Sequence, residues 1–337
     1  MTMDNDMISV IVATYNQETT IRRTLDSILM QQCHLPVEIV IGEDCSTDHT
    51  RSICEQYARH HPDHIRLIAN ERNKGIIDNY FDCLLACRGK YIADCAGDDF
   101  WTTPLKLEKE VCIMESHPEV TLVHTNWVRY DEVTGNTSPS GRQPFDQLLT
   151  DGHSMLQAIV TPTARPIIHL CTALYRADFV KTALSEDPYL FRNKEFGCED
   201  LQICFEAARR GVIAYLPDIT LNYSVNHTSV SFNTDDTRQF QFVRRITDLS
   251  HYLIRKHQLR GTELDNYFQQ RIFTLAMHAF RAHSNELRDE VHMCADRWNV
   301  KPTGRTTAVV SIMQNDILWQ AALALRKIIV VGKHIAR

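Results

Sequence analysis

Three widespread devices for holding a phosphate or a metal are missing from this chain: it has no GxGxxG, no GxxxxGK[ST] and no HExxH. The glycine-loop phosphate cradles and the helical zinc site that those spacings create are therefore unsupported. Its eleven cysteines are odd in number and contain no CxxC pair. Scattered from Cys33 to Cys294, they read as small buried hydrophobes in a reducing compartment, neither a disulfide frame nor a zinc site. A basic excess is also lacking, since 36 Lys and Arg face 42 Asp and Glu for a formal net charge of -6. That argues against nucleic-acid binding by bulk electrostatics, so any anionic ligand must be held locally. No run reaches the ~18 to 20 apolar residues needed to cross a bilayer. The acidic start MTMDNDMISV lacks the basic head and apolar centre of a secretory signal. The expected location is cytoplasmic.

What the chain does contain is enough apolar material for a large core. Its 337 residues are 44% hydrophobic, and that length corresponds to one or two domains. ISVIVA (8–13), VEIVIG (37–42), IRLIA (65–69) and KYIADCA (90–96) are short runs rich in β-branched residues, as expected of strands covered on both faces. Helical spacing lies between them, with Ile21, Leu25, Ile28 and Leu29 on one face of the first such segment. Ser46 stands where it can cap a second helix whose first turn carries Asp48. Strand alternating with helix over the first hundred residues predicts an α/β fold with a parallel sheet and right-handed crossovers. Ligands of such sheets bind at the carboxyl ends of the strands. TYNQE, EDCSTDHT and GDD all fall at those ends and point to one crevice. Beyond Thr121 the pattern is mixed, with β-like VTLVHTNWVRY, a Gly- and Pro-bearing loop predicted to be mobile, a helix at LQICFEAARRG and strand-like ITLNYSVN. After about Phe232 it reads helical.

Carboxylates are the groups left for chemistry. Asp98 and Asp99 follow an apolar run directly, and a strand-end acid pair can hold a hard divalent cation that completes its shell with phosphates and water. The same pair could instead satisfy backbone N–H groups or cap the helix at TTPLKLEKE. Glu199 and Asp200 open a helix, where the positive end of the dipole favours them, and a carboxylate there can also serve as a general base for a sugar hydroxyl. His227 sits among Ser and Thr in NYSVNHTSVS, either as a hydrogen-bonded side chain or as a ligand. HHPDH, with His60, His61 and His64, reads as a solvated helix end.

Taken in order, VIVATYNQETTI, VIGEDCSTDHT, RNKGIIDNYF, KYIADCAGDDFW, GCEDLQICFEAARRG and NYSVNHTSVS resemble the family 2 glycosyltransferases of GT-A fold. The match covers roughly residues 7–232. The resemblance implies a Rossmann-like, mostly parallel sheet flanked by helices, in a catalytic domain of residues 1–232. Residues 233–337 would form a helical C-terminal extension suited to membrane or partner association. It implies an inverting transfer of a sugar from a nucleotide-diphosphate donor, a UDP-sugar, with Mn²⁺ or Mg²⁺ as cofactor. The acceptor would be a saccharide, lipid-linked, in surface polysaccharide or O-antigen (lipopolysaccharide) synthesis at the cytoplasmic face of the inner membrane. Thr14, Tyr15, Asn16 and Glu18 would line the base and ribose side, and Asp44 would read the nucleobase. Asn73, Lys74, Gly75 and Asn79 would border the nucleotide. Asp98 would touch the donor through the metal, held by Asp98 or Asp99 with His227. Asp200 would be the catalytic base, with Glu199 orienting it or contacting the acceptor.

Some positions depart from the family pattern. Ala96 replaces its first metal-region acid, with Asp94 two residues earlier; Asp78 and Ser224 stand where arginine is common. Rival readings are a glycoside hydrolase, which also uses two carboxylates, and a catalytically silent nucleotide-sugar-binding scaffold. The end ILWQAALALRKIIVVGKHIAR combines helical apolar spacing with basic residues, so it can dock on the protein's own core or lie on an anionic membrane surface. Homo-oligomerisation stays open at this level.

Overall fold

The computed structural model describes residues 6–140, 147–162, 167–225 and 234–335, the last ten as helix backbone. His227 lies outside the described residues, as does the later part of the loop expected to be mobile, from residue 141. The chain divides into two compact units, Met1–Asn226 and His227–Arg337.

In the first unit the expected alternation is present: β1 (Ile8–Thr14), α1 (Ile21–Leu29), β2 (Val37–Glu43), α2 (Thr50–His60), β3 (Ile65–Ala69), α3 (Ile76–Ala86) and β4 (Tyr91–Asp94). Then follow β5 (Phe100–Trp101), α4 (Lys106–Ser116), β6 (Val120–Asp131), β7 (Thr137–Pro139), β8 (Leu149–Asp151) and α5 (Gly152–Val160). The unit closes with β9 (Ala173–Arg176), α6 (Ala177–Glu186), α7 (Pro188–Arg192), α8 (Asp200–Arg210) and β10 (Val212–Val225). The sheet runs β3-β2-β1-β4-β9-β6-β10-β5. β1 pairs in parallel with β2 and β4, β2 with β3, and β10 along most of its length with β6, so most of the pairing is parallel. Antiparallel β9 joins the two parallel parts.

Chain order explains where the crevice opens. The connections through α1 and α2 step from β1 to β2 to β3, whereas α3 carries the chain back across to β4 on the other side of β1. This reversal is the topological switch point of an open α/β sheet, and it leaves a cleft at the carboxyl ends of β1 and β4. Alternate residues of β1 face opposite sides. Ile8, Val10 and Val12 join Ile21, Leu25 and Ile28 of α1 in a buried cluster that also takes in Trp101, Leu107 and Val111.

One helix start differs from expectation. Ser46 does not cap α2, because its hydroxyl accepts the amide of Asn16 across the cleft at 3.0 Å, and α2 begins only at Thr50, whose N–H donates to Asp48. Nor do the aspartates of GDD cap α4, whose cap residue is Leu105.

The core holds one fully buried ion pair, Lys106 Nζ to Glu110 Oε2 at 2.7 Å, with the ammonium 4.5 Å from the Trp101 ring centre. Burial pushes Glu110 up to about 7 against the pull of Lys106, and its Oε1 has no hydrogen-bond partner. Removing one member of such a pair strands the other charge, which costs about 3–5 kcal/mol, whereas replacing both by apolar groups is often close to neutral.

The second unit is helical: α9 (Asp236–Lys256), α10 (Thr262–Ala282), α11 (Asn285–Arg297), α12 (Arg305–Met313) and α13 (Asp316–Ile335). Asp235 caps α9 and Ser284 caps α11 through side-chain oxygens. Trp319 donates its indole N–H to the Phe280 carbonyl, pinning α13 to α10. Among the described residues no single helix is long and apolar enough to cross a membrane; α12 and the start of α13 meet at a 115° bend.

Glu110→Leu should lower the unfolding free energy in urea by about 3–5 kcal/mol, and adding Lys106→Met should recover most of that loss. Equal stability of the single variant and the parent would contradict a buried, charged pair.

Candidate active site

Two loops at the carboxyl ends of β1 and β2 are stitched together by their own polar side chains. Asn16 Oδ1 accepts the Thr47 amide at 2.8 Å, Glu18 Oε2 accepts the His49 amide at 2.9 Å, and the Gln17 amide donates to Thr50 Oγ1 at 2.7 Å. In return the Glu18 amide donates to Asp48 Oδ2 at 3.1 Å. Asn16 and Cys45 both hold positive φ, 53° and 60°, a conformation that costs energy outside glycine and gathers at functional loops. Asn16 and Glu18, expected along the nucleotide side, thus use side-chain oxygens to fix the neighbouring loop. Tyr15 is 44% exposed, leaving its ring at the surface, and Thr14 is buried with its hydroxyl on Gln17 Oε1.

Asp44 ends the same edge and organises the 73–75 turn. Its carboxylate accepts the amides of Lys74 at 2.8 Å and Gly75 at 2.9 Å, together with the Asn70 side chain at 3.0 Å. Gly75 sits at φ 84°, which glycine adopts without cost. Asn79, expected to border the nucleotide, is buried; it donates to the Gly42 carbonyl at 2.8 Å and accepts from Asn70 at 2.9 Å. Its place one turn into α3 turns the amide toward β2, and its role is to join helix and strand.

After β4 the chain doubles back tightly. A Cβ on Gly97 would come within 2.3 Å of Gln17 Oε1 and 2.7 Å of Thr14 Oγ1, so only glycine lets the acid turn press against the first loop. Asp98 is half-buried, and its backbone carbonyl accepts from Ser224 Oγ at 2.6 Å and Arg23 Nη2 at 3.2 Å. Asp99 is buried, and its Oδ1 accepts the Ser224 amide at 2.9 Å, so β10 is locked to the acid turn. Burial raises both carboxyls above the ordinary range, for Asp98 with the charge of Glu132 added and for Asp99 with that of Asp98. No ion pair reaches either carboxylate among the described residues. Two adjacent desolvated carboxyls whose rise the charge of Arg23 offsets only in part are what a hard divalent ion would relieve, and Asp98, with the freer carboxylate, fits that role better than Asp99.

Arg23 was not foreseen. From α1 it lies 4.0 Å over the Phe100 ring, pairs with Glu132 at 2.5 Å and donates to Asp98 O and Ser224 Oγ. A cation supplied by α1 therefore stands beside Ser224, where the sequence lacks one, and its charge acts on both Asp98 and Asp99. His169 and Cys171 were also missed: one ligand atom of each lies within 4.8 Å of Asp99 and of the other. Burial drives His169 down to about 4 and leaves its Nδ1 without a hydrogen-bond partner.

Glu199 and Asp200 stand at the start of α8, where the Asp200 carboxylate takes the Leu201 amide and the Cys198 thiol. Desolvation raises both carboxyls, and the charge of Asp200 raises Glu199 further. Asp94 belongs to the same electrostatic group. It is buried, accepts the Tyr80 hydroxyl at 2.6 Å, and has an Oδ2 with no hydrogen-bond partner. Burial pushes it to about 7, against the bonds from Tyr80 and Tyr175 and with the charge of Asp200 adding to the rise. A charged residue inside KYIADCA was the one sign of it in the sequence.

Known proteins resemble this chain in both sequence and fold. The sequence model of the family described as glycosyl transferase family 2 matches residues 9–183. An uncharacterized protein of Mycobacterium tuberculosis is 44% identical over 115 residues, covering 34% of this chain and 33% of that protein, so the likeness spans about a third of its length. The UDP-Glc:alpha-D-GlcNAc-diphosphoundecaprenol beta-1,3-glucosyltransferase WfgD of Escherichia coli is 28% identical over 148 residues, covering 44% of this chain and 54% of WfgD. In fold, the chain is similar to Staphylococcus aureus TarS 1-349 in complex with UDP-GlcNAc, with a TM-score of 0.56 and 18% identity, covering 91% of this chain and 90% of that one.

Asp94 retains its proton in the folded protein up to about pH 7, whereas an unfolded aspartate loses it near 3.8. The folded state therefore holds more protons between those values, and its stability falls as pH rises through that window. Asp94→Asn keeps the acceptor for Tyr80 and should flatten the decline; melting temperatures at pH 5 and pH 8 that differ equally in variant and parent would contradict this.

Proposed function

The chain belongs to glycosyl transferase family 2, and from that premise we propose that it moves a sugar from a UDP-sugar to a lipid-linked saccharide with inversion at the anomeric carbon. Family membership speaks against the hydrolase reading. The observation that carries the rest is the division of acids at the crevice: Asp98 after β4, and Asp200 at the start of α8 with its carboxyl raised by burial.

Each group has a stated task. Tyr15 offers an exposed ring against the nucleobase, and Asp44 holds the 73–75 turn in place beside it. Asp98 would hold Mn²⁺ or Mg²⁺, which when bound supplies the positive charge that a departing nucleoside diphosphate requires. Arg23 and Ser224 clamp the Asp98 carbonyl and fix where that carboxylate points. Asp200 takes the proton of the acceptor hydroxyl as its oxygen attacks the anomeric carbon. The bond from that carbon to the phosphate oxygen breaks, and its electron pair leaves with the nucleoside diphosphate. A carboxyl raised by burial is a stronger base than a solvated one, which suits this step near neutral pH.

The second unit supports work at the cytoplasmic face of a membrane. Ile317 and Leu325 in α13 are 80% and 60% exposed, on a helix whose sequence ends in basic residues. Such a helix suits an acceptor whose lipid stays in the bilayer, as in surface polysaccharide assembly.

Asp200→Asn should leave UDP affinity within about twofold while lowering turnover by roughly 10²–10⁴. In the parent, turnover should fall on the acid side at a pH above the usual carboxylate range, because the protonated base is inactive. A variant as active as the parent would refute the base assignment. Asp98→Ala should abolish the difference in UDP affinity measured with Mn²⁺ and with EDTA; persistence of that difference would move the metal elsewhere.

A further inference from the structure

A polar cavity of about 610 Å³ opens on the outer face of α3, beside the 73–75 turn. Asp78 and Asp82 lie one helical turn apart on that face. Lys74 Nζ meets Asp82 Oδ2 at 2.9 Å and Arg192 Nη1 meets Asp82 Oδ1 at 2.9 Å, while Lys194 Nζ meets Asp78 Oδ2 at 2.6 Å. Arg192 Nη1 also reaches Asp78 Oδ1 at 3.7 Å, and Lys194 donates to the Lys74 carbonyl at 3.1 Å. Arg72 and Asn73 complete the lining; Arg72 is exposed and makes no hydrogen bond or ion pair among the described residues.

A purely structural tie between α3 and the segment after α7 would need no more cations than carboxylates. Four cations here face two carboxylates, which leaves two positive charges around an open space. Arg192 makes its contacts with the carboxylates through one nitrogen, so the rest of its fork is available, and a guanidinium fork matches the geometry of a phosphate. The volume is within the range of small-ligand sites. The segment carrying Arg192 and Lys194 runs directly into Glu199 and Asp200, so an anion held here is held by the same stretch of chain as the base.

We propose that this cavity binds a phosphoryl group of the acceptor, such as the diphosphate that joins a saccharide to its lipid, and thereby positions the acceptor hydroxyl at Asp200. The proposal rests on the transferase reading above. It sets the acceptor's phosphate on the Arg72–Arg192–Lys194 side of the 73–75 turn, whose Asn73 and Lys74 also line the cavity and border the donor nucleotide, and leaves the donor's phosphates to the cation at Asp98.

The test uses the full chain with Arg72→Gln and with the pair Arg192→Gln, Lys194→Gln. Transfer is measured to one saccharide carried on a lipid diphosphate and to the same saccharide on an uncharged lipid. Both variants should raise KM for the diphosphate acceptor by roughly tenfold, and should leave KM for the uncharged acceptor and for the donor unchanged. Among the described residues Arg72 has no partner to lose, so its substitution removes no contact that holds the fold. A rise in donor KM would assign the cavity to the donor's phosphates and overturn the proposal; equal effects on both acceptors, or none on either, would also overturn it. Titration of inorganic pyrophosphate in EDTA, with UDP present, separates this inference from the transferase reading. The parent should bind and Arg72→Gln should bind about tenfold more weakly, and absence of binding in the parent would overturn the cavity whatever the enzyme's activity. Failure of the parent to turn over any nucleotide sugar, with pyrophosphate still bound, would instead defeat the transferase reading.

Discussion

Acid side chains crowded where little water reaches them are the constraint around which this molecule is arranged. Asp94, Asp98, Asp99, Glu199 and Asp200 gather along the carboxyl edge of the sheet, each with its carboxyl raised by burial. Such a group is expensive unless something offsets it. The fold supplies partial offsets: the Tyr80 hydroxyl for Asp94, the Ser224 amide for Asp99, and the first turn of α8 for Asp200. None of these is a full counter-charge. The remaining cost is lowered by a cation or by a proton, and those are the two species that a sugar-transfer site has to manage.

The scaffold keeps these acids in place by polar stitching more than by apolar packing. Asn16, Glu18, Ser46, Asp48 and Thr50 link two loops that otherwise share no secondary structure. Arg23, stacked on Phe100, does the same between α1, the acid turn and β10. A crevice rim built in this way can be rigid while remaining solvated, because every bond in it has a polar partner at both ends.

Much of the fold was legible in the sequence. The four runs of β-branched residues became β1 to β4 nearly residue for residue, because a strand covered on both faces has to be apolar throughout. The three polar clusters could be read as ends of strands for the same reason. Contacts between distant segments were less visible. Ser46 looked like a helix cap by spacing alone, and only the folded chain brings the Asn16 amide to it. Asn79 matched a nucleotide-side pattern, yet the phase of α3 turns it to Gly42. Arg23, Arg192 and Lys194 carry no local signature, since an arginine on an amphipathic helix reads as solvated until the facing strand or loop is known.

Helix α3 touches nearly everything named above. Its amino-terminal glycine is tethered to Asp44, Asn79 grips the end of β2, Tyr80 reaches Asp94, and Asp78 with Asp82 anchors the cationic cluster outside. One residue inserted between Gly75 and Asp82 would rotate the later positions by about 100° and break these attachments together. This stretch behaves like a keyed shaft: its spacing is fixed from several sides at once, so exchanging a side chain there disturbs one attachment whereas changing the count of residues disturbs several.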